Sequence, residues 1–441
     1  MNIRLKKKGT PYGVKVPESK LSEKIPIEPA PLPEKVIIPL QQNIGAPCQA
    51  LVKRGDKVLT GQKIGDSEKF VSAPVHATVS GEVSGTTMVV NPPTGALIES
   101  LIITSDGKDE WVKLSPPKHP EKLSAKEILE RIREAGLVGL GGAAFPTHVK
   151  LSPPKGKEID TVILNGCECE PFVTSDHRIM LEYGEQVLSG LNIISRVLSP
   201  QSVYIAIEDN KEDAIDHMEK MIEKLKLIGF RIAPLKSKYP MGAEKTLIEM
   251  ILGREVPIGG LPLDVGVVVH NVSTAKAIHD AVVSGKPLIE RVITVTGAVK
   301  NPKNLLTRFG TPLRSLIEYC GGMDDRANKV ILGGPMMGIA QFDLDFPAVK
   351  GTNSILVTES APLREQDCIS CGQCIEICPM RLMPTLLARY AKASRYDECK
   401  ENYIDDCFEC GACTYACPAN IPLVQYIKVA KKELLKRKVS K

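Results

Sequence analysis

The hydrophobic rhythm of the chain changes several times. Up to about residue 115, apolar residues come in short β-branched runs broken by Pro and Gly, without a long helical repeat, and this predicts small β-structure. The first thirty or so residues, through Pro26, Pro29, Pro31 and Pro33, read as an extended strap, because proline removes backbone donors that regular structure needs. Residues 52–62 and 72–83 then read as a pair of strand-and-turn units. Over 124–135 the rhythm becomes helical: Ile128, Leu129 and Ile132 repeat, Ser124 is an N-cap and Glu127 follows three residues later. Residues 161–164 and 201–208 are apolar runs of strand length, and 213–227 is an amphipathic helix. Residues 292–299 alternate as a strand, 312–320 read as a helix, and 384–403 are helical again.

A chain of 441 residues is too long for one ordinary core and suggests about three domains. Its 43% hydrophobic and 25% charged content is ordinary for a globular protein. No run approaches the ~18 apolar residues of a membrane span. The basic residues 1–8 lack the apolar segment of a secretory signal. A net charge of +5 is small for this length and gives no reason to expect a nucleic-acid partner. Basic residues do gather at the C-terminus, at Lys428, Lys431, Lys432, Lys436, Arg437, Lys438 and Lys441. They read as a solvated tail, or as a contact for an acidic partner or anionic membrane surface.

Eight of the 13 cysteines fall in two runs of the form C-x2-C-x2-C-x3-C-P: Cys368, Cys371, Cys374, Cys378 and Cys407, Cys410, Cys413, Cys417. This is the spacing of bacterial-type iron–sulfur sites, in which the fourth cysteine ligates the other cluster. Two 4Fe-4S clusters are expected, one on Cys368, Cys371, Cys374 and Cys417, the other on Cys407, Cys410, Cys413 and Cys378. C-x2-C pairs also make structural zinc sites, but duplicated four-cysteine runs each closed by proline favour iron–sulfur. Such ligands require a reducing compartment.

Upstream, Gly136, Gly139, Gly141 and Gly142 lead into Phe145-Pro146-Thr147 and Lys150. Glycines this close let backbone N–H groups approach a phosphate, with Lys150 as a cation; a helix-terminating loop explains them almost as well. The strand at 161–164 ends in the polar run Asn165-Gly166-Cys167-Glu168-Cys169-Glu170, where α/β folds place ligand-contacting groups. Tyr239, Gly242 and Glu244 follow, then Asn271 and Thr274 after a second apolar run. Cys167 and Cys169 read as packed thiols.

In this order the motifs G-x-x-G-x-G-G-x-x-F-P-T-x-x-K, N-x-x-E-x-E-P, Y-x-x-G-x-E and N-V-x-T resemble the flavin domain of the NADH-binding subunit of respiratory complex I. With the paired cysteine runs, the whole chain is similar to the RnfC family of ferredoxin:NAD oxidoreductase subunits. Residues 52–83 also resemble the hammerhead of biotinyl and lipoyl carriers, without the modified-lysine hairpin, and 290–338 resemble a soluble-ligand-binding β-grasp domain.

The resemblance implies a multidomain α/β protein. A strap and β barrel-sandwich hybrid would span 1–115, an FMN/NADH-binding α/β domain 120–285, a β-grasp linker domain 286–345, an α-helical two-cluster ferredoxin domain 360–428 and a basic tail 429–441. It implies FMN contacts at Gly139, Gly141, Gly142, Lys150, Asn165, Glu168, Gly242, Asn271 and Thr274, and NAD(H) contacts at Phe145, Glu170, Tyr239 and Glu244. Leu140, Cys167, Ala243 and His270 depart from the complex I pattern, which has Arg, an acidic residue, Glu and Asn there.

The function implied is hydride exchange between NAD(H) and FMN, followed by one-electron transfer through the clusters, with no catalytic acid or base. The partners implied are the other subunits of a membrane-bound, ion-translocating complex, among them an iron–sulfur subunit that accepts electrons from ferredoxin. The chain would sit at the cytoplasmic face of the cell membrane, held there by those partners. A soluble paralogue resembling cobalamin reductase and a non-catalytic relay adaptor are the alternatives.

Overall fold

The computed structural model describes residues 3–92, 94–360 and 363–439, so Lys441 lies outside it. The flavin-type domain is built on a four-stranded parallel sheet in the order Phe230–Leu235, Ser202–Glu208, Thr161–Asn165, Val267–Asn271. Strands such as Val162-Ile163-Leu164 and Val267-Val268-Val269 are buried on both faces, as in parallel sheets covered by helices on either side. Helices Gly184–Leu198 and Val272–Val283 pack closely because Gly190 has no side chain: a Cβ there would lie 1.8 Å from the carbonyl oxygen of Ala275. The strand order reverses between Thr161–Asn165 and Val267–Asn271, and Asn165 and Asn271 are register partners at their carboxyl ends. In open α/β sheets such a crevice is where ligands bind.

The N-terminal domain is two small sheets around a core of Val36, Ile38, Ile64, Val75, Val83 and Ile103. The β-grasp sheet has the strand order Ile27–Pro29, Lys303–Arg308, Glu290–Gly297, Ser354–Thr358, Lys329–Leu332, Ile339–Gln341. It therefore extends past the expected limit at 345, since Ser354–Thr358 lies inside it. A strap strand, Ile27–Pro29, forms its edge.

The cluster domain is helical: Gln373–Glu376, Pro384–Lys392, Tyr396–Glu401, Ala412–Tyr415 and Leu423–Val439. The last helix runs through the expected boundary at 428. The basic segment, as far as Val439, is helix continuous with the domain, anchored by buried Ile427 and Ala430 and by partly buried Leu434. The two cysteine runs repeat in backbone as in sequence. Ser370 and Glu409, Gly372 and Gly411, and Arg381 and Asn420 occupy matching positive-φ positions.

The strap crosses three domains. Leu5 and Lys8 hydrogen-bond the edge strand Phe230–Leu235 of the flavin-type sheet, and Gly13 N–H donates to the Ile377 carbonyl of the cluster domain at 2.7 Å. Partly buried Lys20 donates to the carbonyls of Glu168, Glu170 and Val173 at 2.7–2.8 Å. Ser22 meets Thr174 beneath the β-grasp sheet.

Candidate flavin and iron–sulfur sites

The glycine-rich turn lies over the switch point. Thr274 Oγ1 accepts from Leu140 N–H at 2.9 Å, and Gly139 N–H donates to the Phe145 carbonyl at 2.8 Å. Asn271 caps helix Val272–Val283 through Oδ1 and donates to Asp176, while a Cβ on Gly141 would sit 3.3 Å from Asn271 Cβ. From the β-grasp domain, buried Arg291 donates to the carbonyls of Leu140 and Lys350 at 2.9 and 2.7 Å. Burial lowers its pKa to about 10 despite the attraction of Asp176. The outer side of the turn is open: Gly142, at φ 118°, has nothing within 4 Å of a Cβ position, and at Gly139 the nearest atom is 3.7 Å away.

Asn165 donates to the Gly242 carbonyl at 2.8 Å and accepts from Cys167 N–H at 2.9 Å, holding the two sides of the crevice together. Gly242 has no room for a side chain, since a Cβ would lie 2.6 Å from the Cys167 carbonyl oxygen. Lys150 pairs with Glu244, so an arriving phosphate would compete with that carboxylate. Near Lys150, buried His270 leaves Nε2 without a partner, and burial together with the Lys150 charge holds its imidazole neutral. An open glycine turn, a lysine at its end and an unpartnered buried imidazole fit an anionic, nucleotide-like ligand such as FMN.

Other expected contacts are directed elsewhere. Glu168 is buried and accepts from Ser175 Oγ and from the N–H groups of Asp176 and His177, capping helix Ser175–Glu182. Glu170 accepts from Met336 and Met337 N–H at 3.1 and 2.8 Å, and so docks the β-grasp turn. Tyr239, expected on the nicotinamide side, is 1% exposed and presents no free stacking face; its hydroxyl donates to the Cys410 carbonyl at 2.6 Å. Phe145 stays partly exposed beside the open turn.

The cysteines of the two runs group by proximity. The Cys374 thiol feels those of Cys417, Cys368 and Cys371, whereas the Cys413 thiol feels those of Cys410, Cys407 and Cys378. Burial pushes the Cys410 thiol up to about 12, with Cys407 and Cys378 adding to it. Cys368 and Cys371 are exposed, and hydrogen bonds from Ser370 and Thr385 hold the Cys368 thiol below the usual range. Among the described residues, no group of three or more His, Cys, Asp or Glu is placed to hold a metal ion as it stands. Thiols that lie near one another in this way are of the chemistry that iron–sulfur clusters take.

Residues 132–280 match the family described as the Nuo51 FMN-binding domain, and 359–421 match the 4Fe-4S dicluster domain. Residues 8–108 match the RnfC barrel sandwich hybrid domain and 292–340 the SLBB domain. The chain is 49% identical over 414 residues to one subunit of the proton-translocating ferredoxin:NAD(+) oxidoreductase complex of Clostridium ljungdahlii, covering 92% of this chain and 90% of that one. The chain belongs to the RnfC family. The corresponding subunit of the Na(+)-translocating ferredoxin:NAD(+) oxidoreductase complex of Acetobacterium woodii is 46% identical over 410 residues, covering 91% of each chain. An NAD+-reducing NiFe hydrogenase shares the fold at a TM-score of 0.51 and 18% identity, over 73% of this chain and 63% of that one.

Three residues that hold this RnfC-family site together were not read from the sequence. Arg291 had a signal, because strict alternation puts its charge on the same side as buried Ile293 and Val295. Lys20 and Asp176 had none, since their partners lie about 150 and 95 residues away. Among the described residues no helix is long and apolar enough to cross a membrane.

Glu170 gives the first prediction. Burial, opposed by the Met336 and Met337 N–H groups, raises its pKa from 4.5 to about 7. The folded chain thus binds more protons than the unfolded one between those values, and stability falls as pH rises through the window. Glu170→Gln removes this titration. Its Tm relative to the parent chain should rise between about pH 5 and about pH 8. A difference that falls over that range would contradict the assignment.

Proposed function

We propose that this chain is the NADH- and flavin-handling subunit of an ion-translocating ferredoxin:NAD(+) oxidoreductase, as the names of its RnfC-family relatives suggest. The observation that carries this reading is one buried interface, formed by Val14, Tyr239, Cys410 and Ala412, that joins the FMN-type domain to the dicluster domain. Bound FMN would supply hydride exchange with NAD(H) on one side and single-electron exchange on the other.

The residues of the chain bind and orient. Gly139, Gly141 and Gly142 leave room for the phosphate and ribityl chain, and Lys150 supplies a cation once released from Glu244. Asn165, Gly242, Asn271 and Thr274 fix the crevice walls. Phe145 and Glu244 remain for the nicotinamide side. The clusters sit on Cys368, Cys371, Cys374 and Cys417 and on Cys407, Cys410, Cys413 and Cys378. Other members of the complex, including an iron–sulfur subunit serving ferredoxin, hold the chain at the cytoplasmic face of the membrane.

A non-catalytic relay adaptor is the second reading. It is favoured by the engagement of Tyr239 and Glu170 away from any nicotinamide. Purified chain with reconstituted clusters should contain FMN and reduce an artificial acceptor at the expense of NADH. Bound flavin without NADH oxidation would establish the adaptor instead.

A further inference from the structure

We propose that Tyr239 is a positioning residue for the cluster on Cys407, Cys410, Cys413 and Cys378, and that this cluster is the one nearest the flavin pocket. The inference rests on the cluster reading above.

Tyr239 stands three residues before Gly242, whose carbonyl closes the crevice on Asn165. From that segment its hydroxyl reaches the Cys410 carbonyl at 2.6 Å, a side-chain bond from the pocket wall to the backbone of a ligand residue. Three further contacts converge on the same junction. Val14 on the strap exchanges backbone hydrogen bonds with Tyr239. Gly411, at φ 76°, lies so close to the β-grasp turn that a Cβ would be 2.8 Å from the Met336 carbonyl oxygen. Cys169 accepts from Gly242 N–H at 3.4 Å and packs in the same apolar group. In the other run, Cys368 and Cys371 are exposed, which suits a cluster that passes electrons outward.

A donor on the Cys410 peptide draws negative charge away from the cluster and favours its reduced state, since hydrogen bonding around a cluster is among the factors that set its potential. Tyr239→Phe keeps the ring and removes only the hydroxyl. Redox titration monitored by EPR should show the signal that Cys407→Ser abolishes becoming three- to tenfold harder to reduce, a tenfold change being about 59 mV for one electron. The signal that Cys368→Ser abolishes should not move, and Tyr403→Phe, at an exposed tyrosine of the same domain, should move neither. After mixing with NADH, cluster reduction should slow in Tyr239→Phe while flavin content stays at the parent level. Two intact signals with unchanged midpoints, or equal shifts in both, would overturn the role of Tyr239. A parent chain without cluster signals would instead overturn the relay reading beneath it.

Discussion

Replacing Cys417 by Ser is expected to abolish or convert the cluster whose other ligands are Cys368, Cys371 and Cys374, and to spare the cluster of the run that contains Cys417 itself. The reason is geometric. In runs of this spacing three cysteines, separated by two residues each, bind one cluster, while the fourth, here ahead of Pro379 or Pro418, ligates the other. In the folded chain Cys374 lies within electrostatic reach of Cys417, and Cys378 within that of Cys407, Cys410 and Cys413. Serine keeps the shape but is a poorer ligand for iron, which prefers thiolate in such sites. The EPR spectrum of Cys417→Ser should therefore resemble that of Cys368→Ser. A spectrum resembling that of Cys407→Ser would refute the crossed arrangement.

The second large effect is expected at Gly142. Valine there has to adopt φ near 118°, a region that β-branched residues avoid at a cost of about 1–3 kcal/mol, and its methyls would fill the open side of the turn. The residue is exposed, so the domain core stands while the turn relaxes away from its binding shape. Since about 1.4 kcal/mol is a factor of ten in affinity, FMN retained through gel filtration should fall tenfold or more, with both cluster signals intact. Flavin content equal to that of the parent chain would exclude this turn as the phosphate site.

Much of this was legible because local pattern and tertiary role coincide. The Ser124 and Glu127 capping box forms as expected, and the apolar runs at 161–164 and 201–208 become central parallel strands. The cysteine runs repeat at constant spacing, which made the dicluster domain over residues 359–421 legible. What escaped depends on distant partners. The strand Ser354–Thr358 enters the β-grasp sheet from beyond an irregular stretch, and only its pairing with Glu290–Gly297 and Lys329–Leu332 reveals it. The C-terminal basic run looked like a tail because charge dominates it, although Ile427, Ala430 and Leu434 mark one packed face of a helix. Tyr239 was expected on the nicotinamide side because its motif belongs to the flavin domain that the chain resembles. Which way a ring turns is decided by neighbours, here a carbonyl 171 residues further along the chain.

The strap has a consequence for how the protein is made. The strap's partners at Ile232, Leu306 and Ile377 lie hundreds of residues further along the chain. These contacts are of very high sequence separation, so they form late, after the domains that they cross have folded separately. Until the strap seats, the carbonyls of Glu168, Glu170 and Val173 lack the Lys20 ammonium, and the cluster domain meets the flavin-type domain through side-chain contacts such as Tyr239–Cys410 and Arg381–Glu249. Seating of the strap is thus expected late in folding, and it ties the flavin-type, β-grasp and cluster domains together through one continuous segment.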